Sequence, residues 1–322
     1  MFPRPIVAGW RFKGAMRVAG GLLVLLVAQI CFAASTVAPL PVISWAPRVI
    51  QTGSPCLFRL ELRVPAVAVS GSWQGREVTF VPAADRSVWY ALAGVDVAAK
   101  PGNYRLAVQS TVAGGAVVRR ERAITVVRAR YKTERLRVPE RFVEPDPDTR
   151  VRIQADEQLK HAIFSQETEP PEWSGKFRVP IASSVSEPFG TRRTFNGKLA
   201  SIHRGIDFHA LPGTPVLAAN SGEVVLAREL FYEGNCVIID HGLGFMTIYM
   251  HLSKFEVSEG QNVERGQEIG LTGATGRVTG PHLHIAVRWK GAYLDPAQPW
   301  ALPVPDLRGA AFSRASTADR KR

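Results

Sequence analysis

The stretch HLHIAVRW, residues 282–289, alternates strictly between two kinds of side chain. Successive side chains of a β-strand point to opposite faces, so Leu283, Ile285, Val287 and Trp289 share one face. His282, His284, Ala286 and Arg288 share the other. The pattern predicts a strand with its apolar face in a core and two imidazoles standing together on the open side. Two imidazoles so placed need partners, and the rest of the chain has to supply them.

The chain has 322 residues and is 46% hydrophobic, enough for two ordinary domains with sizeable cores. Its net charge of +12 would suit an anionic polymer, but much of that charge sits at the ends. Residues 1–34 carry four basic residues and no acid, and residues 306–322 carry five basic and two acidic, which leaves +5 on the body. No basic run is interleaved with aromatic residues that could stack on bases, so nucleic acid is not an expected partner. A positive region ending at Arg17 precedes an uncharged run from Val18 to Ala34 that closes on small residues. This reads as a secretory signal peptide, residues 1–34, cleaved near Ala34; the alternative is an uncleaved anchor. The run is short for a membrane span, which needs about 20 apolar residues. An exported protein, periplasmic or envelope-associated, is therefore expected, with membrane contact only through this segment. Cys31 would leave with the signal. Cys56 and Cys236, in different parts of the chain, are expected as buried free thiols, with a disulfide as the alternative. Nothing in the sequence specifies an oligomeric state.

From about Pro39 to Val138 short alternating runs are broken by turns such as PGN at 101–103 and AGG at 113–115. Strands at this spacing without helical patterning predict an Ig-like β-sandwich over residues 35–138, and this region holds no histidine. Residues 139–177 read as a linker. There EPDPDT starts a short helix with Asp148 as its N-cap, and Val151, Ala155, Leu159 and Ile163 form a stripe at helical spacing. Strands and Gly-rich turns resume at Phe177 and define a second domain over 178–303. The polar, basic residues 304–322 are expected to be disordered.

Six of the seven histidines lie between His203 and His284, in three motifs of interest: HRGID at 203–207, YMHL at 249–252 and PHLH at 281–284. A straight strand would hold His203 and Asp207 roughly 13 Å apart. A tight turn at Gly205, which tolerates unusual backbone angles, would fold them toward one point. With His284 they make two imidazoles and a carboxylate, three ligands of a tetrahedral zinc with one position left for water, as in catalytic zinc sites. Such a water titrates near about pH 7. His282, two residues from His284 on the same face, is positioned to take its proton. Alternation along FMTIYMHL puts Phe245, Thr247, Tyr249 and His251 on one face, so His251 would stand beside Tyr249, able to donate to a developing oxyanion.

HRGID, YMHL and GPHLH, in this order, resemble the lysostaphin/LytM-type zinc metallopeptidases that cut peptidoglycan cross-bridges. The similarity extends through SEPFGTRRTFNG, GTPVLAANSGEVV, GNCVIIDHGLGFMTIYMHLS and VERGQEIGLTGATGRVTGPHLH. The resemblance implies a mostly β protein, in which a short helix joins the sandwich to a lysostaphin-type antiparallel β-sheet peptidase domain with its site in an open groove. It makes His203, Asp207 and His284 the ligands of one Zn2+ per chain. His251 and His282 become the catalytic pair, with base and oxyanion donor interchangeable between them. The implied reaction is hydrolysis of peptide cross-links of peptidoglycan, for a Gram-negative type of chain a D-alanyl–diaminopimelate bond. His209 departs from the small residue usual in the family and is either an alternative ligand or part of the cleft wall. His241 reads as a turn residue. Arg192, Arg193 and Asn196 either line the groove for substrate carboxylates, together with Tyr249, or form a solvated loop. The rival readings are a non-catalytic activator of another cell-wall hydrolase, which typically lacks one or more of the five residues present here, and a wall-binding module.

Overall fold

The computed structural model describes residues 40–137, 144–173, 175–195, 197 and 199–307. The expected signal segment, Cys31, Asn196 and residues 308–322 lie outside the described residues. Ten strands come first: β1 (Val42–Ala46), β2 (Ile50–Gln51), β3 (Pro55–Glu61), β4 (Ala66–Trp73), β5 (Arg76–Thr79), β6 (Val81–Pro82), β7 (Val88–Gly94), β8 (Gly102–Val112), β9 (Val117–Val127) and β10 (Thr133–Leu136). Helix α1 (Pro147–Phe164) follows. Then come β11 (Val185–Glu187), β12 (Arg192–Phe195), β13 (Leu199–Ile202), β14 (Ile206–His209), β15 (Pro215–Leu217), β16 (Gly222–Leu230), β17 (Gly234–Asp240), β18 (Phe245–Phe255), β19 (Asn262–Val263), β20 (Glu268–Thr272), β21 (His282–Trp289) and β22 (Ala292–Leu294). The protein is mostly β.

The first nine strands form two sheets, ordered β1-β3-β7-β6 and β2-β9-β8-β4-β5. Their alternating residues explain the pairing: Leu106 and Val108 of β8 and Ile124 and Val126 of β9 are buried, while Arg105 and Gln109 of β8 and Thr125 and Val127 of β9 are exposed. Trp73 packs edge-on to Phe58 at 5.3 Å in the core between the sheets. β10 lies beyond the sandwich and runs parallel to β12, joining a three-stranded sheet with β12 and β13.

The large sheet follows the path β11-β14-β21-β18-β17-β16-β19, with β22 on β21 and β20 bridging β15 and β18. On its core face Ile206, Phe208, Leu283, Ile285 and Val287 join one apolar cluster that continues into the sandwich. Backbone bonds tie the two parts together: Val97 N–H donates to Tyr293 O at 3.2 Å, and Asp295 N–H to Gly53 O at 2.8 Å. Asp96 Oδ2 also accepts from Tyr293 N–H at 2.8 Å. The packed chain runs past 303, since Leu302 and Val304 are both buried.

Helix α1 has 18 residues, and its N-cap is Asp146 rather than Asp148. Pro147, with no N–H to satisfy, occupies the first turn, and Asp146 accepts from Thr149 N–H at 2.9 Å. Only the far end of the anticipated stripe is used: Val151 is 69% exposed, whereas Leu159 and Ile163 pack on Ile238, Met246, Ile248 and Ala286. These residues alternate with the core-facing ones, so α1 lies on the same face of the sheet as His284. Cys56 and Cys236 are buried free thiols. No helix among the described residues is long and apolar enough to cross a membrane.

Candidate metal centre

The antiparallel pairing of β14 and β21 sets Asp207 directly opposite His284. Opposed residues share a face, so the carboxylate and the imidazole meet with no further device. His203 reaches them because the chain bends between β13 and β14. The bend does not use the left-handed conformation expected at Gly205; the glycine is there for space. A Cβ at that position would stand 2.4 Å from His284 Nε2 and 2.4 Å from Ile285 O.

His203 Nε2, Asp207 Oδ1 and His284 Nδ1 converge, separated by 3.1, 3.0 and 2.7 Å. The three residues form a group able to hold a metal ion. His203 Nδ1 donates to Pro188 O at 3.1 Å, which fixes the tautomer and turns the lone pair of Nε2 inward. An imidazole lone pair and a carboxylate oxygen turned on one point ask for a cation there. Ligands at zinc distances, about 2.0–2.1 Å in tetrahedral array, would lie little farther apart than these atoms do. The donor set therefore fits zinc. Burial alone would raise the Asp207 pKa, but hydrogen bonds and charges from His203 and His284 hold it far below the usual carboxylate range. Burial pushes His284 down despite its bond to Asp207.

Arg193 does not stand free to greet substrate. Its guanidinium pairs with Glu187 and donates to Asp207 Oδ2 at 2.9 Å, leaving Oδ1 to face the two histidines. Arg192 is exposed and lines the groove.

His251 and His282 stand with ring centroids 4.9 Å apart. Each donates Nδ1–H to a backbone carbonyl at 2.8 Å, His251 to Thr275 and His282 to Gly280. In the neutral form of each ring, Nε2 is then the nitrogen with a free lone pair. Burial, then the neighbouring His282 and His284 charges, push His251 down to about 3. All five residues line one groove of about 1150 Å³, with His209 on its wall.

Alternation along β18 misassigned this strand. Tyr249 pairs with Ile285 and is fully buried on the core face, so it cannot contact a substrate. Its hydroxyl accepts from Ala219 N–H at 2.8 Å and meets Thr247 Oγ1 at 3.0 Å. Met246, Ile248 and Met250 occupy the other face, beneath α1. His251 escapes the alternation because its φ is +65°, a left-handed residue that swings the side chain into the groove. His241 is fully buried, with Nδ1 donating to Ser221 O at 2.7 Å and Nε2 bonded to Thr247 Oγ1 at 2.8 Å. Sequence reasoning passed over Glu187 and Lys160, which also line the groove: Glu187 lies in the SEPFGTRRTFNG stretch without being singled out, and Lys160 belongs to no recognisable motif.

A family model, Peptidase family M23, matches residues 201–296. Over 141 residues the chain is 44% identical to the peptidoglycan DD-endopeptidase ShyA of Vibrio cholerae, covering 42% of this chain and 33% of that protein. It is 42% identical over 130 residues to the DD-carboxypeptidase/endopeptidase Mpg of Neisseria meningitidis, covering 40% and 30% respectively. The chain thus spans about a third of the length of these curated relatives. A crystal structure from Pseudomonas aeruginosa named for peptidase M23 is 28% identical, covers 79% of this chain and 97% of that one, and superposes with a TM-score of 0.59.

Proposed function

We propose that this chain, whose residues 201–296 are a peptidase family M23 domain, is an exported zinc-dependent endopeptidase that hydrolyses peptide cross-links of bacterial peptidoglycan. The observation that carries the reading is the convergence of His203 Nε2, Asp207 Oδ1 and His284 Nδ1 beside two further imidazoles in one groove. Those three residues would hold one zinc ion per chain. Bound there, zinc supplies Lewis acidity toward a carbonyl oxygen and lowers the pKa of water.

The chain's own residues do the rest. His251 and His282 each present a basic Nε2 to the groove, because each Nδ1–H is spent on a carbonyl. One of them takes the proton of the attacking water and gives it to the amine that leaves as the C–N bond breaks; the other, carrying a proton taken from solvent on Nε2, donates to the oxyanion of the tetrahedral intermediate. Backbone anchoring of both rings holds them in register with the scissile amide, so little reorganisation is needed at the moment of reaction. Arg193 keeps Asp207 oriented by occupying its second oxygen. An open groove between loops suits an extended polymer, and the relatives named as peptidoglycan DD-endopeptidases support a cross-link between stem peptides as the bond cut. The periplasm or cell envelope is the compartment this substrate requires.

The test is digestion of purified cross-linked sacculi by the zinc-loaded chain, with the fragments read by mass spectrometry. Release of uncross-linked stem peptides, abolished by a chelator and restored by zinc, is the expected outcome. A zinc-loaded chain that releases no peptide would overturn the reading.

A further inference from the structure

The groove continues past the metal centre into a second cavity of about 740 Å³. Glu157 and Lys160 of α1, with Arg204 and Tyr293, line both spaces and make them one channel. Beyond these residues the walls change hands: Gln74 comes from the β4–β5 turn of the sandwich, Arg76 from the start of β5, and Arg288 from β21. Two buried donors in these walls, Nε2 of Gln74 and Nε of Arg288, have no hydrogen-bond partner. Leaving a buried donor unpaired is costly, so two in one cavity mark a place where acceptors are expected to come from outside the chain.

The charges point the same way. Arg76, Arg204 and Arg288 form no ion pair among the described residues. Their planes are held by other means: Arg288 lies over Phe164 at 4.0 Å, Arg204 over Tyr293 at 4.9 Å, and Arg76 Nε donates to Lys290 O at 2.8 Å. Stacking fixes a guanidinium while leaving its N–H edge available. The acidic groups nearby are already engaged. Asp96 accepts from the Ala98 and Tyr293 amides, and Glu157 pairs with Lys160. Gln74 itself sits at φ +51°, an unfavourable conformation for that residue, in a two-residue turn completed by Gly75 at φ +74°.

The cavity is lined by Arg76, Lys160, Arg204 and Arg288 against only Asp96 and Glu157, and planar donors with this excess of positive charge match a carboxylate. We propose that the second cavity is a carboxylate-binding subsite, built jointly by the sandwich, α1 and the peptidase sheet, which holds an acidic group of the peptidoglycan strand away from the bond being cut. This rests on the substrate class assigned above. It gives the sandwich a part in substrate selection, through Gln74 and Arg76.

Two measurements test it on the zinc-loaded full chain. The first compares KM for a cross-linked peptide dimer with free carboxylates against the same dimer amidated, for the wild type, Gln74→Leu and Arg288→Met. Wild type should favour the acid about tenfold in KM, and each variant should erase most of that preference with kcat within about twofold. The second is calorimetric binding of an uncross-linked acidic stem tetrapeptide and its amide, which needs no turnover. Acid-selective binding lost in both variants supports the subsite even if no cross-link is cut, and the hydrolase reading alone would then fail. Cleavage of the dimer with equal KM for acid and amide in the wild type overturns the subsite and leaves the hydrolase standing. Variants that weaken acid and amide alike also overturn it.

Discussion

Replacing Gly205 by Ala tests whether the metal centre depends on the close approach seen in the fold. Gly205 does not use a left-handed backbone, so alanine can adopt its conformation, and only the added methyl matters. That methyl would lie 2.4 Å from both His284 Nε2 and Ile285 O, where ordinary contact begins near 3.4 Å. Something must retreat by about 1 Å on each side. Ile285 pairs with Ile206 in the β14–β21 ladder and cannot withdraw without loosening it, so the displacement falls on the His284 ring or on the bend carrying His203. Overpacking of this kind costs about 1–3 kcal/mol. The strain is felt most when all three ligands are gathered, so zinc affinity should fall roughly ten- to hundredfold, at about 1.4 kcal/mol per decade. The assay is a zinc titration of the metal-stripped chain against a competing chromophoric chelator. Gly280→Ala is the control: it lies beside the site, no atom comes within 4 Å of its Cβ, and its carbonyl still accepts from His282. Wild-type zinc affinity in Gly205→Ala, or an equal loss in Gly280→Ala, would refute the reasoning.

Three other perturbations separate the roles of the histidines. His282→Ala should keep zinc but lower turnover of cross-linked peptide by roughly 10²–10⁴, the usual worth of a general acid–base group; metal analysis showing loss of zinc would exchange its role with that of His284. His209→Ala should leave metal content unchanged, since Asp207 Oδ1 and the two imidazoles already form the donor set; a large drop would bring His209 in as a ligand. Burial pushes His241 down from 6.5 to about 4, so between those values the unfolded chain binds a proton that the folded chain refuses, and stability falls on acidification. From pH 7.5 to pH 5 the loss is about 2 kcal/mol, and urea titrations should show His241→Gln losing less over that interval by this amount; equal losses would show that His241 carries no such linkage.

The features legible in the sequence were those set by period and register. In β21 a strict alternation separates a wholly apolar face from one bearing two imidazoles, and the pairing of Asp207 with His284 then follows once β14 lies beside it. The sandwich was legible for the same reason, since strands such as β8 and β9 bury every second residue over part of their length. What escaped depends on contacts between distant segments. The strand β10 pairs with β12, some sixty residues on, and no local pattern announces that partner. Arg193 had the look of a substrate contact because its carboxylate partners, Glu187 and Asp207, come from two other strands.

His251 shows why a correct residue can be reached by a wrong argument. Simple alternation put it with Thr247 and Tyr249 on a polar face, yet those two residues lie in the core, hydrogen-bonded to each other and to His241 and Ala219. By period alone His251 would be buried with them. A single left-handed residue breaks the period, and the pairing of β18 with β17 shifts register alongside it. The cost of holding a non-glycine residue there is of order 1–3 kcal/mol, and packing around it must over-determine the conformation. That packing is visible: His251 N–H donates to Glu233 O, its Nδ1 donates to Thr275 O, and Glu233 is in turn held by Lys160 of α1. Helix α1, which by sequence alone was only a connector, thus reaches through Glu233 to the strained residue that stands beside His284. The strain at His251 and the placement of α1 are two parts of one arrangement, which is why neither could be read from its own stretch of chain.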